Sequence, residues 1–128
     1  MLKIYDEQTE AFARAAMQEF EDRMAAHLQR FFRDACARLG PQAVVELIRH
    51  GISRAASHGI VSEHDVALYL NLTVALGRDF DRDPLLPWAS AALAETAQLE
   101  PSRRMGRLYR VTASRTQVPV PGDDAYVD

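Results

Sequence analysis

A chain of 128 residues, 48% of them hydrophobic, is long enough for one domain of ordinary size and apolar enough to supply a real core. Its 15 Lys and Arg against 18 Asp and Glu leave a net charge of -3, which excludes the broad electrostatic attraction by which basic proteins hold nucleic acid or anionic membranes. The charge is unevenly spread: Arg103, Arg104, Arg107, Arg110 and Arg115 make the start of the carboxy-terminal segment basic and leave the remainder acidic.

The amino terminus, MLKIYDEQTE, turns acidic before an apolar signal region forms, and no uninterrupted apolar run approaches the roughly 20 residues that span a bilayer. A cytoplasmic location is expected, with no membrane partner. The single cysteine, Cys36, has no partner for an intramolecular disulfide and lies within a helical pattern as a small buried hydrophobe.

In chain order, the first predicted element is an amphipathic helix from about Asp6 to Leu39. Phe12, Ala16, Phe20, Met24, Leu28, Phe31, Ala35 and Leu39 recur on one stripe. Acidic residues open it and arginines close it, in keeping with the helix dipole, and Glu10–Arg14, Glu19–Arg23 and Asp34–Arg38 stand at i,i+4 spacing. At about 1.5 Å per residue such a rod approaches 50 Å, longer than a small globule needs, so one end is expected to project or to meet a partner.

Gly40-Pro41 ends this helix and opens a second, over about Gln42 to Ser57, with Val44, Leu47, Ile48, Ile52, Ala55 and Ala56 inward. Gly51 in its interior costs up to about 1 kcal/mol relative to Ala, which suits a close helix crossing. A third helix starts at Ser62 as N-cap, with Asp65 three residues on and Val61 placed to staple against Val66. From Val66 to Leu76 no residue is charged, which predicts a central helix buried on more than one side. After Gly77 and the loop GRDFDRD, the uncharged run from Pro84 to Ala94 predicts a fourth helix, capped by Asp83 and packing through Leu86, Trp88, Ala91 and Leu93.

Beyond Glu100-Pro101, Met105, Leu108 and Val111 mark one short basic helix, and VPVPG beyond it favours extended geometry. The expected architecture is all-α: a bundle of four to five helices with a long N-terminal helix over residues 1–100, then the basic helix and a flexible or partner-ordered tail over 101–128.

The chain carries few groups at chemical spacing. Asp79, Asp81 and Asp83 alternate like the start of a calcium loop, but Pro84 and Ser90 stand where an EF-hand needs Gly and a bidentate Glu. Loop solvation, pairing with Arg78 and Arg82, and capping account for these carboxylates, while a metal- or ligand-binding loop is the alternative. His27, His50, His58 and His64 form no i,i+4 pair for a helical zinc site. Ser62, His64 and Asp65 are neighbours in a helix start rather than a converging triad, and Glu19, Glu21 and Asp22 lack the Glu-x-x-His companions of a carboxylate-metal bundle. No catalytic residue and no cofactor follow from the sequence.

Two surfaces remain as protein-binding candidates. Leu85, Leu86 and Trp88 form an apolar group suited to anchoring an interface, and Arg103, Arg104, Arg107 and Arg110 recur at helical spacing, able to dock on an acidic partner. No aromatic groups interleave with these arginines, which argues against nucleic acid. Self-association is compatible with the same apolar helices.

The stretch IRHGISRAASHGIVSEHDVALYLNLTVALGRDFDRDPLLPWASAALA, through Gly51, Ile52, Arg54, Ala55, Gly59, Ile60, Gly77, Phe80, Asp83, Pro84, Pro87 and Trp88, resembles a group of small helical proteins of Gram-negative bacteria associated with gene neighbourhoods of type VI secretion spike and effector proteins. The resemblance covers roughly the first hundred residues, rests on caps and packing positions, and stops at Pro101. It implies an accessory role such as adaptor or chaperone for an effector or spike component; a toxin immunity role fits the same neighbourhood. It carries no catalytic residues.

Overall fold

The computed structural model describes residues 2–115, with side chains from Glu7 onward. Among the described residues there are six α-helices and no strand: α1 (Leu2–Phe31), α2 (Arg33–Leu39), α3 (Pro41–Ser57), α4 (Glu63–Leu76), α5 (Pro87–Glu95) and α6 (Pro101–Ala113), with one 3-10 turn at Phe80–Arg82. None of these helices is long and apolar enough to cross a membrane. The tail expected to be extended, from residue 116, lies outside the described residues.

The long first helix is two helices. Phe32 leaves the helical region (φ −136°, ψ 51°), although Phe32 N still bonds Leu28 O and Cys36 N still bonds Phe32 O. No Gly or Pro marks this break. Phe31 and Phe32 are both half-buried, and the bend turns α2 back onto α3 and brings Cys36 into the core. A straight rod would carry Cys36 away from α3, so tertiary packing overrides the local preference to continue. Gly40 then ends α2 at φ 87°, ψ 159°, a conformation that disfavours any side chain, and Pro41 opens α3.

The segment of α1 from Phe20 onward lies antiparallel to α3, with Arg49 donating to Glu21 at 3.2 Å, and the start of α4 joins through the two-pronged Arg23–Glu63 pair at 3.0 Å. Arg23 therefore reaches across to α4 instead of bonding Glu19 on its own helix. From Glu7 to Glu19, by contrast, every described side chain of α1 is exposed. The amino-terminal half of α1 extends past the bundle.

Central placement of α4 follows from its composition. From Val66 to Leu76 its surface is uncharged all round and buries well on several sides, and α4 packs against α1, α3, α6 and the 3-10 turn. Leu70, Leu72, Tyr69 and Val66 are buried with Met24, Ile48 and Phe80 from the surrounding elements. Ser62 caps α4, accepting from Asp65 N at 3.2 Å. The Asp65 carboxylate does not close the reciprocal box; it turns outward from its own helix to accept from Ser102 Oγ at 3.1 Å, tying α4 to α6. Val61 is exposed rather than stapled.

Gly51 lies at the α3–α4 crossing, where a Cβ would fall inside the contact radius of the buried Leu70 Cδ2. We expect Gly51→Val to lower the unfolding free energy by about 1–3 kcal/mol despite the poor helix propensity of Gly, because overpacking against a fixed neighbour outweighs that gain. Equilibrium urea unfolding measures it; an unchanged midpoint would show that the crossing has slack.

The fourth predicted helix starts three residues late. Leu86, held out of the α region by the following proline (φ −125°, ψ 59°), is the N-cap of α5, and Pro87 is its first residue. Asp83 instead closes a turn, its Oδ1 accepting from Leu85 N at 2.9 Å. Ala89 and Ala92 join Leu93 in the core, while Ala91 is exposed.

Residue 100 does not bound the bundle. In α6, Met105, Leu108, Tyr109 and Thr112 are buried against α4 and α5, so the helix expected to stand apart completes the core. A buried polar chain crosses the same region: His27 Nε2 donates to Asn71 Oδ1 at 2.6 Å, and Asn71 Nδ2 donates to the Tyr109 hydroxyl at 3.0 Å, linking α1, α4 and α6. Burial, only partly offset by the Asn71 hydrogen bond, lowers the His27 pKa below its ordinary 6.5, with the Arg30 charge acting in the same direction as burial. The unfolded chain therefore takes up a proton more readily than the folded one. The His27 contribution to stability is full above pH 6.5 and is lost as the pH falls from there through the lowered folded value. Urea midpoints measured from about pH 7.5 to 5.5 should decline for the native sequence and decline less for His27→Gln. A flat native profile would contradict the assignment.

Candidate protein-binding site

The loop between α4 and α5 is held on a charged pedestal. On α3, His50, Arg54 and His58 stand at i, i+4 and i+8, one face of the helix, and the loop lowers Asp79 and Asp81 onto them. Asp81 Oδ2 accepts from Arg54 Nη2 at 2.5 Å and His58 Nε2 at 2.8 Å, with its side chain 1% exposed. Asp79 Oδ1 is 3.2 Å from both Arg54 Nη1 and His50 Nε2, and His50 Nε2 lies 3.0 Å from Arg78 O. Phe80, between the two carboxylates, is buried against Tyr69 with ring centroids 5.0 Å apart.

Burial, the largest single influence on Asp81, would raise its pKa. The hydrogen bonds from His58 and Arg54, with the adjoining positive charge, outweigh it and hold the carboxyl below its usual range. Burial first, then the neighbouring Asp81 charge, raises the Tyr69 phenol well above its ordinary value. Asp79 and Asp81 thus converge on the Arg54 guanidinium and the His50 and His58 imidazoles, leaving Asp81 Oδ1 buried without a hydrogen-bond partner, while Asp83 stands apart on the Leu85 amide. Among the described residues no group of three or more His, Cys, Asp or Glu could hold a metal ion. Ser57, beside the His58–Asp81 pair in sequence, donates its hydroxyl to Arg54 O. What the cluster does physically is fix the loop to α3.

Above this pedestal the loop displays Leu85, whose side chain is 85% exposed. Leu86 and Trp88 are half-buried beneath it, packed against the core. The Arg115 guanidinium lies 5.2 Å from the centre of the Trp88 ring, so the end of α6 meets the start of α5 and the two candidate surfaces of the sequence adjoin. Arg103, Arg107 and Arg110 are exposed along α6.

Arg104 does not belong to that basic face. It is 8% exposed, donating through Nη1 to His58 O at 2.5 Å and through Nη2 to Leu93 O at 2.9 Å. Its position shares the inner face of α6 with Leu108 and Thr112, and its fork satisfies carbonyls at the ends of α3 and α5 that their own helices leave free. The expected row of four arginines is three on the surface and one structural tie.

The i, i+4, i+8 spacing of His50, Arg54 and His58, followed by Asp79 and Asp81, is a signal of this cluster legible in the sequence, although it contains no i,i+4 pair of imidazoles. On the opposite face of α3 lies an apolar groove of about 610 Å³, which no residue spacing in the sequence marks. Ala13, Ala16, Met17 and Phe20 of α1 form one wall, and Ile52 and Ala56 of α3 with Ile60 and Val61 form the other. Compared with protein-family models, curated proteins and solved structures, the chain matches none of them.

Proposed function

We propose that the chain is a non-enzymatic accessory protein, an adaptor or chaperone that holds a secreted effector or spike component, in keeping with its resemblance to proteins of type VI secretion neighbourhoods. The α5–α6 end is the binding face, with Leu85 inserted into an apolar hollow of the partner and Arg103, Arg107 and Arg110 against acidic groups around it. A partner of that chemistry is met in the cytoplasm before export.

The observation that carries this reading is Leu85, a large apolar side chain held 85% exposed on a loop that a buried charge cluster anchors from below. An exposed hydrophobe on a mobile loop loses backbone as well as side-chain entropy when it docks; one on a rigid support loses less, and burying it contributes about 1.5–3 kcal/mol. The Trp88–Arg115 stack supplies the amphipathic surround typical of interface centres.

Co-expression with the products of neighbouring genes tests the reading. The native chain should co-purify with one of them, and Leu85→Asp and the triple change Arg103→Glu, Arg107→Glu, Arg110→Glu should each weaken the complex at least about tenfold. A complex indifferent to both changes would overturn the assignment of the face. Protection of cells from a mature toxin, without effect on its export, would replace the chaperone role by immunity.

A further inference from the structure

Among the described residues, Arg54 Nε, Tyr69 Oη, Asp81 Oδ1 and Arg104 Nε are buried without a hydrogen-bond partner. The first three come from α3, α4 and the loop after α4, and they belong to one cluster. Arg54 Nε shares an edge of the planar guanidinium with Nη2, which donates to Asp81 Oδ2 at 2.5 Å. Oδ1 is the other oxygen of that carboxylate, left over because His58 also bonds Oδ2. The Tyr69 ring packs on Phe80, the residue before Asp81. Burial acts most strongly on its phenol, followed by the charges of Asp81 and Arg54, so the hydroxyl lies close to both groups.

A buried polar group left unbonded costs about 1–3 kcal/mol, and a charged one costs more. Three such groups in one cluster therefore call for a common partner. Their chemistry defines it: Nε–H only donates, the carboxylate oxygen only accepts, and the phenol does either. A direct bond from Tyr69 to Oδ1 would leave Nε unbonded. A molecule that both donates and accepts, and is small enough to lie among packed side chains, satisfies all three.

We propose that the pedestal binds one internal water, held by Arg54 Nε, Asp81 Oδ1 and Tyr69 Oη. It accepts from Nε and donates to Oδ1, and its remaining bond is to the phenol. About three bonds to otherwise unpaired groups is the usual valence of a buried water. Through it α4 gains a polar link to the charged cluster, so the loop that carries Leu85 is tied to two helices. The site concerns how that loop is supported and stands whatever Leu85 binds; the water and the proposed function can fail separately.

Two measurements on the full chain test the site. A high-resolution crystal structure should place an ordered water about 2.7–3.2 Å from each of the three atoms. Tyr69→Phe keeps the ring on Phe80 and removes only the hydroxyl. If that hydroxyl bonds a water, the unfolding equilibrium constant should rise about fivefold to tenfold, because a satisfied bond is lost. If it has no partner, the substitution removes an uncompensated polar group and should leave stability unchanged or raise it. The crystal structure separates the water from a direct bond between Tyr69 and Oδ1, and it decides the question even if Tyr69→Phe fails to fold. No ordered water at that position, a phenol bonded straight to Oδ1, or a Tyr69→Phe chain at least as stable as the native one would each overturn the proposal.

Discussion

A chain ended at Glu100 is expected to lose cooperative folding. Met105 and Leu108 have no exposed surface and Tyr109 has 6%, and burial of a side chain of this size contributes about 1.5–3 kcal/mol. Removing α6 also uncovers the faces of α4 and α5 on which it lies and breaks three polar ties: Ser102 to Asp65, Arg104 to the ends of α3 and α5, and Tyr109 to Asn71. Against a typical net stability of about 5–15 kcal/mol, the combined loss exceeds what the remaining helices can absorb. Thermal melting followed by circular dichroism should show a broad, non-cooperative transition, and an apolar dye should bind the shortened chain more strongly than the full one. A sharp melt near that of the full chain would mean that residues 1–100 form a domain alone. Leu108→Ala is a milder version, expected to cost about 2–5 kcal/mol while leaving the transition cooperative.

Asp81→Asn is expected to lower stability by about 3 kcal/mol, because removing one member of a buried ion cluster leaves the other uncompensated. The Arg54 side chain is 13% exposed and retains only the half-exposed Asp79 as an anionic partner, which places the effect at the low end of the usual range for broken buried pairs. The pH dependence provides a second signature. Since the folded-state pKa of Asp81 lies below its ordinary 3.8, its contribution is full above that value and is lost as the pH falls through the folded pKa. Acid titration of the native chain should therefore show a loss below about pH 4 that Asp81→Asn flattens. Equal acid sensitivity in both proteins would contradict this role. The same substitution loosens the loop that presents Leu85, so binding to the proposed partner should weaken even though Asp81 itself is buried.

These two acid responses are separable. The His27 effect begins near pH 6.5, at the junction of α1, α4 and α6, and the Asp81 effect only below about pH 4, at the loop on α3.

Where local chemistry decides structure, the sequence was readable. Ser62 caps α4, Gly40-Pro41 separates α2 from α3, and the uncharged run after Asp65 is buried in the centre, because capping geometry, proline sterics and the absence of charge act over a few residues and hardly depend on the rest of the chain. The all-helical class and most of the inward face of α3 followed from the same short-range periodicity, although Ala56, expected inward, is exposed where no element covers that side of the helix end. Part of the candidate site was visible too: Leu85 and the exposed arginines of α6 stand out by residue type alone.

Other features exist only through contacts between distant segments. Phe31-Phe32-Arg33 contains no helix breaker, and the bend there is imposed by the docking of α2 on α3. Arg104 looks like its neighbours in an arginine row until α6 packs and turns that one position toward His58 O and Leu93 O. Asp81 reads as a loop carboxylate, yet it is buried because Phe80 is drawn under Tyr69 and Arg54 and His58 await it on another helix. Local propensity and spacing thus determined which segments are helical and where most of them begin and end. Packing decided which charges are buried, which apolar groups remain outside and that α6 belongs to the core, since those outcomes depend on the free energy of surfaces contributed by residues far apart along the chain.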